Sequence, residues 1–315
     1  MPARIVLLVT SPRLPAGLLT AAAWDLVRAA PVLTGPGIPA EQLAALEAAG
    51  VRVRTADRPV PELLDVAAAS GVAVWWSGPG GDEDVARELG LRLAREPGLA
   101  ELELMYGSWD PPGARLLDAV TVMDRLASPG GDPWKLAQTH RSLARFLLEE
   151  AYEAYDAIEA DDPGALREEL GDVLLQVLLH ARMAQNLPDG RAWDVDDVAG
   201  DLVDKLIRRN PHVFGGAGLT DLDEITDQWE RIKKAEKARA SALDGIAWSQ
   251  PALALAAKVL SRARRSGLEV DPPAGDDLGE RLLRQVAEAG DEDAEAALRR
   301  VVTRYADAVR DAERA

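Results

Sequence analysis

The segment LLEEAYEAYDAI (147–158) places three glutamates, Glu149, Glu150 and Glu153, within two turns of an otherwise apolar stretch. Residues three, four and seven apart share one face of a helix. Glu150 therefore falls inside an apolar stripe, and Glu153 falls on its edge. The stripe consists of Leu143, Phe146, Leu147, Ala151, Ala154 and Ile158. The spacing predicts a helix over 136–160 that carries carboxylates on the face it buries.

A second acidic group follows in REELGDVLLQ (167–176). Glu169 lies inside the apolar stripe of a helix predicted over 164–186, and Asp172 lies three residues further on. The break around Ala160–Pro163 is so short that the two helices must be antiparallel neighbours. Two pairs of carboxylates are therefore expected to face each other near the hairpin.

This concentration of negative charge predicts a metal site. Two like charges about 4 Å apart repel by roughly 4 kcal/mol at an effective dielectric constant of about 20. A set of oxygen ligands suits Mg²⁺ or Mn²⁺, which keep several waters for substrate phosphates. As an alternative to metal binding, any single glutamate of this set could belong to a solvent-exposed face of its helix. A di-iron bundle would need a histidine three residues after a glutamate, and His140, His180 and His212 do not meet that requirement.

Cations with aromatic neighbours follow the acidic hairpin. Lys205 and Arg209 lie four residues apart at the edge of an apolar stripe on a helix predicted over 195–209. Trp229 and Lys233 have the same spacing on the helix predicted over 221–238. Together with a metal held by carboxylates, these side chains predict a site for a polyphosphate that carries an aromatic base.

Composition restricts the partners and the compartment. The 315 residues include 53 acidic and 36 basic side chains, a net charge of −17, which argues against binding to nucleic acid or to an anionic membrane. Cysteine is absent, which excludes disulfides and thiolate chemistry. No apolar run approaches the ~18 residues of a membrane span, and the first residues lack the layout of a signal peptide. We expect a cytoplasmic protein.

The order of elements predicts a mainly α protein with a small α/β domain at residues 1–110. Apolar strands at Ile5–Val9 and Val72–Trp76 alternate with helices near 18–30 and 83–95, which indicates a parallel sheet. Glycines 78, 80 and 81 after the second strand are interpreted as part of a turn. GSWDPPG (107–113) is a linker, and everything after it is predicted helical. The remaining predicted helices cover 114–126, 251–266, 276–289 and 292–313.

In order along the chain, these motifs resemble the MazG family of nucleoside triphosphate pyrophosphohydrolases. The pattern is Glu149-Glu150-x-x-Glu153, 15 residues, then Glu169-x-x-Asp172. KLIRRNPHVFGG (205–216) and WERIKKAEKARASALDGI (229–246) follow in the same order as in the family. The similarity extends over 114–262 and implies an all-α, dimeric, Mg²⁺-dependent enzyme. Such enzymes cleave NTPs and dNTPs between the α and β phosphates.

The resemblance also implies roles for individual residues. Metal ligands would be Glu150, Glu153, Glu169 and Asp172, with Glu149 as a nearby acid or water-orienting base. Phosphate oxygens would be bound by Lys205, Arg209 and Lys233, and the nucleoside would lie near Trp229 or Trp134. Two alternatives stay open. One is a narrower relative that acts on dUTP, dCTP or phosphoribosyl-ATP, and the other is a regulatory helical protein that binds nucleotide without turnover.

Two parts of the chain depart from the family pattern. Residues 263–315 resemble the end of a second MazG repeat, but the first acidic motif is missing and Asp277-Leu278-Gly279-Glu280 stands at the second. We expect a non-catalytic helical remnant. Residues 1–110 faintly resemble the beginning of a tetrapyrrole-methylase-like domain, without a convincing glycine-rich loop after the first strand. No activity is assigned to them.

Overall fold

A computed structural model describes residues 2–77, 82–188, 190–215, 221–236 and 240–314. The chain forms two compact units, 1–200 and 201–315. The protein is mainly helical, with one parallel sheet at its N-terminal end. Glycines 78, 80 and 81, interpreted as a turn, lie outside the described residues. Among the described residues, no helix combines the length and the apolar character needed to cross a membrane.

A five-stranded parallel sheet with the order β3-β2-β4-β1-β5 forms the first part of unit 1–200. Both faces of its central strands are buried, which explains their continuous apolar runs. The strands are β1 (Ala3–Val9), β2 (Val32–Thr34), β3 (Val53–Thr55), β4 (Val72–Trp76) and β5 (Ala100–Tyr106). The helices between them are α1 (Ala21–Ala29), α2 (Ala40–Ala48), α3 (Pro59–Ser70) and α4 (Glu83–Arg95).

Every regular element described after β5 is a helix. The predicted helices are present, with boundaries shifted by a few residues. Unit 1–200 contains α5 (Arg115–Leu126), α6 (Pro133–Leu136), α7 (His140–Glu159) and α8 (Pro163–Ala184), and α9 covers Val195–Arg209. The remaining helices are α10 (Pro211–Phe214), α11 (Leu222–Glu236), α12 (Ala252–Arg265), α13 (Leu278–Ala289) and α14 (Ala294–Arg314).

Local capping sets the ends of the acidic hairpin. The predicted helix at 136–160 begins at His140, because Thr139 and Ser142 form a reciprocal capping box there. Asp162 caps α8 by accepting from the backbone N–H groups of Gly164 and Ala165. Asp161 takes a positive φ of 52° between the helices, which allows a tight reversal. Helices α7 and α8 then pack along their length.

The predicted domain boundaries are based on sequence motifs, whereas the two compact units are defined by contacts in the structure. A division into 1–110, 114–262 and 263–315 therefore stays a prediction. Within unit 201–315, helix α12 packs against α13 and α14. Helix α14 carries no buried residue, although α13 buries Val286.

Candidate functional site

Three carboxylates converge across the α7–α8 hairpin. Glu150 of α7 and Glu169 and Asp172 of α8 each offer an oxygen, and the three oxygens lie within 4.8 Å of one another. All three side chains are half-buried. We call Glu150, Glu169 and Asp172 the acidic triad.

Helical periodicity brings the triad to the interface between the helices. On α7, Glu150 belongs to the row that includes buried Leu143 and Ala154. On α8, Glu169 and Asp172 belong to the row that continues through Gln176 and Leu179, which are both buried. Carboxylates therefore occupy positions that apolar side chains would take in an ordinary helix pair.

Burial and like charge both act against ionisation of the triad. The pKa of Glu150 is raised by loss of solvent and then by the negative charges of Asp172, Glu153 and Glu149. The pKa of Glu169 is raised by loss of solvent and then by Glu153, Asp172 and Glu168. A divalent cation would relieve both effects. The oxygen-only triad thus fits a hard ion such as Mg²⁺ or Mn²⁺.

Two further acids predicted for the site lie beside the triad. Glu153 is exposed and is not one of the three converging side chains, yet its charge acts on both Glu150 and Glu169. Glu149 is also exposed and acts electrostatically on Glu150. Their predicted roles as a fourth ligand and a water-orienting base stay predictions.

An aromatic side chain from helix α6 lies against α7 near the triad. The ring of Trp134 meets that of Phe146 edge to face, with centroids 5.8 Å apart. Phe146 is one turn before Glu150. The ammonium of Lys135 lies 5.7 Å from the centroid of the Trp134 ring and 3.0 Å from a carboxylate oxygen of Asp132. The Trp134 side chain stays half-exposed, and an exposed aromatic ring can stack with another aromatic ring.

The predicted cationic residues belong to unit 201–315. The guanidinium of Arg209 lies over the ring of Trp229, 5.6 Å from its centroid. This contact joins α9 to α11 and pairs a cation with an aromatic ring. The roles of Arg209 in phosphate binding and of Trp229 in base binding stay predictions. Lys205 is exposed on α9. The side chain of Lys233 lies outside the described part of the chain.

Part of the apolar stripe predicted to be buried is exposed. The buried row of α7 runs through Leu143, Ala154 and Ala157 because α5 and α8 pack on that side. Leu147 and Ile158 of α7 and Leu170 of α8 face away and keep 38%, 57% and 54% of their surface exposed. We call these three residues the outer hairpin face.

Sequence reasoning missed a contact between the open ends of the two helices. His140 and His180 lie 40 residues apart, and their Nδ1 atoms are 2.7 Å apart. The rings are within 6° of parallel with centroids 5.0 Å apart, so they lie side by side in one plane and share a hydrogen bond. The antiparallel hairpin was the available signal, because it places residues 140 and 180 at the same level.

Comparisons with known proteins agree with the motifs. Residues 138–214 match the MazG nucleotide pyrophosphohydrolase domain. The chain is similar to an uncharacterised 26.1 kDa protein of Streptomyces cacaoi, with 49% identity over 239 residues, 75% of this chain and 96% of that protein. It is also similar to the nucleoside triphosphate pyrophosphohydrolase of Mycolicibacterium smegmatis, with 48% identity over 207 residues, 65% of this chain and 61% of that protein.

A third relative is the nucleoside triphosphate pyrophosphohydrolase of Escherichia coli K12, with 44% identity over 154 residues, 48% of this chain and 57% of that protein. The chain thus spans nearly all of the Streptomyces relative but about three-fifths of the two named hydrolases. The matched domain contains the acidic triad, Lys205 and Arg209, whereas Trp134 and Trp229 lie outside it.

Proposed function

Because this chain belongs to the MazG family of nucleotide pyrophosphohydrolases, we propose that it hydrolyses nucleoside triphosphates to the monophosphate and pyrophosphate. The observation that carries this proposal is the acidic triad, whose oxygens converge within 4.8 Å. A bound Mg²⁺ would stabilise charge on the phosphate oxygens and provide a nucleophile at neutral pH. Glu150, Glu169 and Asp172 would hold it, with Glu153 as a fourth ligand.

The chain's own residues would supply orientation and charge. Exposed Glu149 lies next to the triad and would accept a proton from the attacking water. Lys205, Arg209 and Lys233 would bind oxygens of the β and γ phosphates. Their positive charge would stabilise the departing pyrophosphate.

The base would be held by stacking. Trp134 offers an exposed ring next to α7, and Trp229 offers a ring already paired with Arg209. Stacking accepts any aromatic base, because every base has a π-face. This favours a broad set of NTP and dNTP substrates.

We further propose that the active form is a homodimer assembled through the outer hairpin face. Leu147, Ile158 and Leu170 are large apolar side chains left exposed on two adjacent helices. Clustered exposed apolar surface marks interaction sites. A second copy would cover this face with its own α7–α8 hairpin and complete a four-helix arrangement. The net charge of −17 argues against binding to nucleic acid and is compatible with a role on small molecules, which we place in the cytoplasm.

The proposed activity is tested by pyrophosphate release from a panel of canonical and modified nucleoside triphosphates, with Mg²⁺ and with excess chelator. The expected result is release that requires the divalent cation and yields the monophosphate as the second product. Nucleotide binding without pyrophosphate release would identify a regulatory protein. Release from dUTP or dCTP alone would identify a narrow relative.

A further inference from the structure

A small cavity lies at the carboxyl edge of the sheet, among the residues that the structure describes there. The connection from β1 to β2 and the connection from β4 to β5 run in opposite directions along the sheet and on its opposite faces, so the neighbouring strands β4 and β1 form a switch point. Ligands of parallel sheets bind in the crevice at such a point. The described residues that line it, among them Ser11, Gln42, Trp76 and Ser108, leave a cavity of about 10 Å³. That is close to the smallest space that holds one water.

A hydrogen-bonded network around Arg13 occupies this edge. The backbone N–H of Ser11 donates to Ser108 Oγ at 2.9 Å, and the Ser11 hydroxyl donates to Asp110. The Arg13 N–H donates to Ser11 Oγ at 3.1 Å. The Arg13 guanidinium bonds to Asp110 and, through Nε and Nη2, to both oxygens of Asp118 at 2.7 and 2.6 Å. Because both oxygens of Asp118 are bonded, the contact fixes the orientation of the two side chains as well as pairing their charges.

The network connects the sheet to helix α5. Asp118 lies in the first turn of α5, outside the sheet region. The Arg13 side chain is only 15% exposed, so solvent and salt screen its pairs less than those of a surface arginine. The hydrogen bond from Arg13 lowers the pKa of Asp118, which shows that the contact favours the ionised carboxylate.

Helix α5 in turn packs against the acidic hairpin. Met123 of α5 shares a core with Leu143 of α7 and Leu179 of α8. Phe146 and Leu174 are packed against the same core, one turn before Glu150 and two residues after Asp172 respectively. Arg182 of α8 bonds to Asp124 of α5 through Nε at 2.6 Å.

We propose that Arg13 is a positioning residue of the metal site. It holds α5 against the sheet, and α5 keeps α7 and α8 at the spacing that brings the acidic triad together. The sheet region, to which no activity is assigned, would then serve as a brace for the hairpin. The catalytic consequence rests on the proposed function, whereas the effect on metal binding and on α5 can be measured without turnover.

The test uses the full-length protein with Arg13→Gln, Asp118→Asn, Arg13→Lys and Arg54→Gln. The first two variants each remove one partner of the Arg13–Asp118 contact, and Arg13→Lys keeps the charge but not the bidentate hydrogen bonds. Arg54→Gln is the matched control, because it breaks an exposed pair with Glu62 in the same sheet region. The measurements are Mn²⁺ titration, hydrogen exchange of residues 115–126 and steady-state kinetics.

Arg13→Gln and Asp118→Asn are each expected to weaken Mn²⁺ binding by about 3- to 10-fold, less than the roughly 10–100-fold cost of losing a direct neighbour of a ligand. Exchange in α5 should rise while exchange in β1 and β4 stays unchanged, and kcat should fall with little change in KM. Arg13→Lys should recover part of the loss, and Arg54→Gln should match the wild type.

Unchanged Mn²⁺ affinity and α5 exchange in the first two variants would overturn the proposal, as would an equal effect of Arg54→Gln. If Arg13→Gln does not fold, the same measurements on Asp118→Asn test the proposal. A wild type that binds Mn²⁺ but releases no pyrophosphate would instead contradict the proposed function. Mn²⁺ affinity and hydrogen exchange in α5 would still decide whether Arg13 positions the metal site.

Discussion

Glu150 illustrates what spacing alone reveals about single residues. Its position within an apolar row of α7 predicts burial next to other acids, and the structure places it within 4.8 Å of Glu169 and Asp172. Spacing places Glu153 on the edge of that row, and its side chain is exposed and is not one of the three converging carboxylates. Its exposure follows from where α8 packs, which the pattern of α7 does not specify.

Replacing Asp172 by asparagine should lower activity by roughly 10²- to 10³-fold, the usual loss of one stabiliser of transition-state charge. Stability without metal should stay the same or increase, because one of the charges that raise the pKa of Glu150 is removed. Glu153→Gln is expected to act in the same direction. Pyrophosphate release and thermal unfolding in chelator measure the two effects.

Asp156→Asn is the control for both substitutions, because Asp156 is an exposed acid of α7. It should change neither property. A folded Asp172→Asn protein with full activity would mean that the triad is only a solvated acidic surface.

Arg209→Ala should reduce kcat by about 10- to 1000-fold, comparable to losing one preorganised charge stabiliser. The contact with Trp229 already orients the guanidinium. Its bonds to phosphate should strengthen as charge develops on the departing pyrophosphate. Binding of a nucleoside monophosphate, which lacks the β and γ phosphates, should change little. A raised KM with unchanged kcat would mean that Arg209 binds the substrate and the transition state equally strongly, which would contradict a role in stabilising the transition state.

The long, periodic helices follow from the sequence, whereas the shortest strands do not. The α7–α8 hairpin follows from its apolar stripes and from Asp162-Pro163. Strands β2 and β3 have three residues each, too few for a period to be recognised. The predicted stripe of α7 was correct for Leu143 and Ala154, which are buried, but too wide, because Leu147 and Ile158 are exposed. Its width depends on where α5 and α8 pack, which the sequence of α7 does not specify.

The His140–His180 pair ties the start of α7 to α8 through a bond that depends on protonation. One Nδ1 must donate and the other must accept. The Nε2 atom of His180 is buried and has no partner among the described residues. His180 therefore bonds best as the Nδ1–H donor, which leaves Nε2 without a proton. Protonating both rings would set two N–H groups against each other.

The free energy of unfolding should therefore fall in mildly acidic solution. Burial, and then the charge of His140, lower the pKa of His180 below its ordinary value of 6.5. The unfolded chain therefore binds the proton more readily than the folded protein. The stability that neutral His180 contributes is fully present above pH 6.5, and it decreases as the pH falls toward the lower pKa of the folded state. Urea unfolding between about pH 5 and 7 should show a smaller pH dependence in His180→Phe than in the wild type. Equal slopes in the two proteins would assign the pH dependence to other groups.

Sequence similarity and packing divide the chain at different places. The family prediction is confirmed by the matched domain and the relatives. The repeat pattern predicts that a catalytic domain ends at 262, whereas α12 packs against α13 and α14 within unit 201–315. Contacts of this kind between helices cannot be inferred from a motif pattern alone.

Truncation after Ser266 should preserve Mn²⁺ binding by the triad, because all three acids belong to unit 1–200. Unit 201–315 should lose stability, since α12 then loses its helical partners. Mn²⁺ titration and hydrogen exchange in α12 measure the two effects separately. Loss of metal binding in a truncated protein whose α7 and α8 remain protected would show that the C-terminal helices take part in the site.

The outer hairpin face should determine whether the chain assembles into a dimer. Leu170 lies on this face with 54% of its surface exposed, and a carboxylate placed there would be desolvated in a dimer but solvated in a monomer. Leu170→Glu should therefore yield the single-chain mass in light scattering at concentrations where the wild type has twice that mass. Leu91→Glu is the matched control, because Leu91 is 55% exposed on α4 and should leave the dimer intact. A wild type of single-chain mass, or a Leu170→Glu protein that remains dimeric, would remove this face as the interface.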